Sequence, residues 1–164
     1  MQEEKAAGMG IFEKARNITD TDLRILVQDS ADPEESLRRH ILSLEESHRQ
    51  LRSSQGVMDR QRQWLESSAE RKLNLAEEWQ RRAEASREQG REDLSNHALE
   101  RKQELMRSMG EDRRQLDALR PELEEAERRL DDLREKIRKA RSVRESLFGK
   151  SDDSPADATD PPGS

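Results

Sequence analysis

The sequence predicts an all-α protein: a long antiparallel two-helix coiled-coil hairpin, preceded by a short N-terminal amphipathic helix and followed by a disordered tail. Three observations carry that expectation. Of 164 residues, 41% are charged and only 30% are hydrophobic, a balance that suits paired helices and not a thick globular core. Apolar residues recur at alternating steps of four and three on both sides of residues 87–99, which is the heptad signature. Between the two periodic stretches lies one strong breaker, Gly90, where a chain reversal is cheapest.

Residues 1–8 are polar and read as a disordered extension. Residues 9–29 form an amphipathic segment. On a helical wheel Ile11, Phe12, Ala15 and Ile18 share one face, while Glu13, Lys14, Arg16 and Asn17 lie opposite. Two readings fit that face. It can enter a lipid interface, with Ile11 and Phe12 as wedges, or it can pack onto the hairpin. Asp20 and Asp22 beside it would be repelled by anionic lipid. Thr19-Asp20-Thr21-Asp22 supplies capping residues, and Leu23-Arg24-Ile25-Leu26-Val27 is the most apolar run of the chain.

The hairpin is placed at residues 32–148, with one helix over 33–88, a tip at 89–91 and a second helix over 92–148. Asp32 can cap the first helix, Pro33 fits its first position and Glu35 completes a capping-box-like arrangement. The seam of that helix runs through Leu37, Ile41, Leu44, Leu51, Met58, Leu65 and Trp79, with Ala69, Ala76 and Ala83 between and beyond. His48, Gln55, Arg62 and Lys72 interrupt it and make it weak. Trp64, Leu73 and Leu75 flank the seam and widen the apolar stripe, which points to more than one partner helix.

Gln89, Gly90 and Arg91 form the predicted tip. The second seam reads Leu116, Leu119, Leu123, Ala126, Leu130, Leu133, Ile137, Ala140, Arg144 and Leu147. Before it come Leu94, Ala98, Lys102, Leu105, Met109 and Asp112, with one slip in phase near Lys102. Pro121 lies inside this helix and predicts a kink, or a junction between two helices. A tip at Gln89-Gly90 sets Trp79 near Leu99, Leu65 near Arg114, Leu51 near Arg128, and Leu44 between Leu133 and Ile137. Each helix would span roughly 80 Å at the usual rise per residue. Residues 149–164 read as a disordered acidic tail.

Charge and composition narrow the function. Residues 1–32 carry 7 acids and 4 bases, residues 149–164 carry 4 acids and 1 base, and the hairpin carries 26 of each. A balanced hairpin on a chain of net charge −6 does not focus a field for nucleic acid. There is no cysteine, so thiolate metal sites are excluded. His40 and His48 stand eight residues apart, too far for ligands one helical turn apart, and His97 is distant from both. No phosphate loop or nucleophile motif is present, and carboxylates on solvated, charge-paired helices lack the burial that tunes a general acid. The expectation is a protein without enzymatic activity, cofactor or metal. No apolar run reaches the roughly 18 residues that cross a bilayer, and no signal-peptide apolar region opens the chain, which points to the cytoplasm.

Met9-Gly-Ile-Phe12, Asp32-Pro-Glu34, Glu77-Glu-Trp-Gln80, Gly90-Arg-Glu-Asp-Leu94 and Ala98-Leu-Glu-Arg-Lys102 occur here in this order. Together they resemble the phage-shock protein A and vesicle-inducing plastid protein family, bacterial members of the ESCRT-III superfamily. The resemblance covers roughly residues 9–148. It implies a lipid-facing helix at Ile11, Phe12, Ala15 and Ile18, a first long helix from Asp32-Pro33, and a tip from Gly90 to Leu94. It implies a peripheral envelope-stress protein on the inner face of the cytoplasmic membrane. Such a protein binds anionic lipid and assembles with itself to support or remodel the membrane. The alternative it implies is a soluble regulatory coiled coil that binds a sigma-54-type transcriptional activator, an AAA+ ATPase, or a longer paralogue. A passive structural coiled coil is the third reading. Family members usually continue past the hairpin with helices that lock subunits together; here an acidic tail follows.

Overall fold

The computed structural model describes residues 23, 25 and 27–149. Ile11, Phe12, Ala15 and Ile18, expected from the sequence to face lipid, the 1–8 extension and the tail beyond Gly149 lie outside the described residues. The protein is all-α. Two long helices, α1 (Pro33–Glu88) and α2 (Glu92–Phe148), pair antiparallel as a hairpin.

Local chemistry explains where α1 starts. The Asp32 carboxylate accepts the Glu35 N–H at 3.2 Å, and its carbonyl accepts the Ser36 N–H at 3.1 Å, so Asp32 is the N-cap. The Ser30 hydroxyl donates to the Asp32 carbonyl at 3.1 Å and tightens the entry. The capping box closes on one side only. Instead of reaching back to Asp32, the Glu35 carboxylate accepts from Arg38 Nε at 2.8 Å and from Arg39 Nε at 3.0 Å. Charge-assisted bonds from two guanidinium groups outcompete a neutral backbone N–H. They hold the Glu35 carboxyl down at about 2.

The tip is a helix stop followed at once by a helix start. Gly90 has φ of 73°, a conformation that costs side-chain-bearing L-residues about 1–2 kcal/mol. Around it the Gly90 N–H donates to the Arg87 carbonyl at 3.0 Å and the Arg91 N–H to the Ser86 carbonyl at 2.9 Å, the Schellman pattern. The Arg91 carbonyl then accepts the Ser95 N–H at 3.1 Å, and Glu92 and Asp93 in the first turn of α2 suit its dipole. Three residues thus reverse the chain.

Pro121 does not divide α2, which runs as one helix through it, so the junction of two helices drops out. Pro121 is exposed, so its ring lies on the outer face of the helix, away from the seam. Leu119, Leu123 and Ala126 continue one inward face across it.

The chain divides into two compact units. The base unit joins residues up to Arg49 with those from Asp131; the other spans Gln50–Leu130. In the base unit Leu37, Ile41, Leu44, Leu133 and Ala140 are buried, joined by Leu23 and Val27. In the Gln50–Leu130 unit the buried residues are mostly small: Ala69, Ala76, Ala83, Ala98 and Ala126, with Leu65, Met109, Leu119 and Leu130 as the large ones.

Candidate functional site

Seam positions along both helices are withdrawn from solvent to different degrees. Leu37, Ile41, Leu44, Leu65, Leu119, Leu130 and Leu133 are buried, whereas Leu51, Met58, Trp79, Leu105, Leu116, Leu123 and Ile137 are half-buried. Two ends of the expected seam are turned out: Leu94 and Leu147 are each 51% exposed. At the tip the inward place is taken by Ser95, which is buried beside Ala98. Starting from Ser95, the steps of three and four continue through Ala98, Lys102, Leu105, Met109 and Asp112 without interruption. The phase slip expected near Lys102 therefore disappears. Small residues here allow the two backbones to converge next to a three-residue turn.

The polar seam positions are resolved in two ways. Lys72 and Asp112 meet across the Gln50–Leu130 unit, Nζ to Oδ2 at 2.6 Å, with the Asp112 side chain 7% exposed and that of Lys72 24%. The Lys72 ammonium, helped by the Ser68 hydroxyl, holds the Asp112 carboxyl below its usual range against the upward push of burial. Lys102 Nζ adds a cross-helix bond to Gln80 Oε1 at 2.9 Å. Arg62 instead turns along its own helix to Asp59 and Glu66, each at 2.9 Å. This register differs from the expected one by several residues. With Lys72 facing Asp112, Leu65 falls opposite Leu119, not Arg114, so leucine meets leucine.

Arg62 turns aside next to Gly56, which contributes no side chain, and an open cleft of about 660 Å³ lies there, with Leu116 and Leu123 on its α2 wall. Near the tip Trp79 and His97 meet edge to face, with ring centroids 6.5 Å apart, and the Arg82 guanidinium lies over the Trp79 ring at 4.7 Å. In the base unit the His48 Nε2 is enclosed without a hydrogen-bond partner. His40 has its pKa lowered by burial and by the Lys136 charge. No cluster of metal-ligating side chains occurs among the described residues, and no helix among them is long and apolar enough to cross a membrane.

A second apolar surface runs along α1 away from the seam. Val57 is 54%, Trp64 60% and Leu75 42% exposed. Their spacings of seven and eleven residues bring them within about 20° of one another on a helix. The charged side chain of Arg71 shares this face, and Arg60 and Glu78, both exposed, border it. Large side chains held in water along a line are the mark of a contact surface. Composition and periodicity flagged Trp64 and Leu75 as flanking residues; Val57 joins them once burial is known.

Two long antiparallel helices with a seam between them define an all-α coiled-coil hairpin. The chain belongs to the PspA/IM30 family, whose pattern matches residues 10–156. It is similar to the membrane-associated protein Vipp1 of Nostoc punctiforme, 32% identical over 143 residues, covering 85% of this chain and 54% of that protein. The membrane-associated protein Vipp1 of Synechocystis is 27% identical over 150 residues, covering 92% of this chain and 56% of that protein. The chain thus spans about half the length of the curated relatives it matches.

Proposed function

We propose that this protein is a peripheral membrane-associated envelope-stress protein that works without catalysis. It assembles with itself through the hairpin and supports or remodels the cytoplasmic membrane from the inner face. The observation that carries this reading is the Val57, Trp64 and Leu75 stripe, an apolar helix face left over after the hairpin has closed its own seam. The hairpin's equal numbers of acids and bases let copies lie side by side without net repulsion. Family membership and the membrane association named for both Vipp1 relatives support the lipid half. Lipid contact is assigned to Ile11, Phe12, Ala15 and Ile18, an apolar face on a segment too short to span a bilayer.

Two measurements test the two halves. Trp64→Glu should shift the protein to smaller species in light scattering and leave its circular dichroism unchanged, because the side chain is 60% exposed and supports no core. Unchanged particle size would remove the stripe from the assembly. In flotation with anionic liposomes the intact chain should rise with the lipid and a chain lacking residues 1–27 should stay behind. If neither floats, the soluble partner-binding coiled coil becomes the better reading.

A further inference from the structure

Within the Gln50–Leu130 unit one stretch of α1 buries nothing. From residue 50 to residue 64, about four helical turns, every α1 residue is half-buried or exposed. Burial resumes at Leu65. The inward positions of the stretch are Leu51, Gln55, Met58 and Arg62, and two of these are polar. An unpaired guanidinium is costly to bury, and Arg62 instead lies along its own helix between Asp59 and Glu66. The cleft of about 660 Å³ opens beside it. The facing turns of α2 still point apolar side chains inward, with Ala126 and Leu130 both buried.

The backbone is weakened at this level on both helices. Gly56 lies inside the stretch, and glycine is among the poorest helix formers. Nothing in the packing requires it: a Cβ at Gly56 would meet only the Arg60 guanidinium, at an ordinary contact distance of 3.7 Å. Counted from the Lys72–Asp112 pair, Pro121 of α2 stands level with residue 63. Proline gives no N–H to the preceding turn of its helix, so α2 is short of a backbone bond where α1 is short of buried side chains. Closer to the tip the two helices are tied across the seam, Lys72 to Asp112 at 2.6 Å and Lys102 to Gln80 at 2.9 Å. In the stretch, by contrast, Arg62 and Gln63 bond to Asp59 and Glu66 on their own helix.

We propose that residues 50–64 of α1 form a compliant section, a hinge built into the Gln50–Leu130 unit. The section opens locally and uncovers Ala126 and Leu130 of α2, while the turns from Leu65 toward the tip stay closed. Segments with few buried apolar contacts open at a lower free energy than the cooperative core beside them, and glycine and proline are where helices bend. The unit can therefore flex without unfolding. This inference needs neither the lipid reading nor the assembly reading above.

Amide exchange on the full chain tests it. In the intact chain the amides of residues 52–63 should exchange about tenfold or more faster than those of residues 66–84. Gly56→Ala should slow exchange over 52–63 about fivefold, the worth of the helix-propensity difference between the two residues, and leave 66–84 unchanged. Gly110→Ala is the control, because a Cβ there would meet nothing within 4 Å. It makes the same exchange of residues in the same unit and should leave 52–63 as it was. Gln55→Leu with Arg62→Leu makes both polar inward positions apolar and should slow 52–63 by roughly tenfold or more, a gain of order that misfolding cannot imitate. Exchange over 52–63 as slow as over 66–84 in the intact chain would overturn the section. So would a Gly56→Ala effect that is absent, shared equally by both stretches, or matched over 52–63 by Gly110→Ala, since the unit would then open only as a whole.

Discussion

Asp112→Ala should cost about 2–3 kcal/mol of stability, somewhat below the usual penalty for breaking a fully buried ion pair. The discount reflects Lys72, whose side chain keeps 24% exposure while that of Asp112 keeps 7%. Removing the carboxylate leaves an ammonium inside the seam with no anion, and also strips Ser68 of its partner. In a thermal melt each kcal/mol corresponds to about 2–4 °C for a chain of this size. Removing both charges should behave differently: Lys72→Met with Asp112→Leu should recover most of the loss, because a packed apolar pair needs no desolvation of charge. A double variant as unstable as the single one would mean that the pair stabilises beyond its own unmaking. Acid supplies an independent check. The Asp112 carboxyl titrates below its ordinary 3.8, so the pair's contribution is present above that pH and fades as pH falls through the lower folded value. The gap between intact chain and Asp112→Ala should close in the same acidic range.

The pair also shows where sequence reasoning reached its limit. Heptad spacing places Lys72 and Asp112 each at a seam position, and opposite charges at two such positions are a signal for a pair. The spacing of one helix carries no information on its register against another, however. A register counted from Gln89-Gly90 put Leu65 near Arg114, whereas the Lys72–Asp112 pair sets it opposite Leu119. Leu94 misled for a different reason: leucine attracts a seam assignment, while the position that actually faces inward holds Ser95, whose small volume matters more there than its polarity. Both long helices were legible because their signals are local: Asp32-Pro33 at one end, Gly90 in the middle and steady apolar steps between. Pro121 looked like a boundary because its rule is local too; the inward face continuing from Leu119 to Leu123 holds the helix together across it. The Val57, Trp64 and Leu75 stripe was half legible, since periodicity shows that a face is apolar but not that it lacks a partner.

Leu65→Ala should be the most damaging apolar truncation in the Gln50–Leu130 unit, at about 2–4 kcal/mol. Leu65 is 1% exposed and, among the described residues, is one of the two largest fully buried side chains, the other being Leu37 in the base unit. The unit buries Ala69, Ala76, Ala83, Ala98 and Ala126 against only three other large apolar side chains, Met109, Leu119 and Leu130, so few side chains are long enough to swing into the void. Most of the lost contact therefore stays lost, and the cost falls on a core with little else to hold it. Leu37→Ala removes the same atoms from a base unit that also buries Leu23, Val27, Ile41, Leu44 and Leu133, where branched and flexible neighbours can close part of the space. Amide exchange should separate the two. Leu65→Ala should speed exchange across residues 50–130 more than Leu37→Ala does, and Leu37→Ala should act first on the amides near Ile41 and Leu133. Equal acceleration of both units by either change would show that the hairpin opens as one cooperative body, and that the thin alanine core is not its weak point.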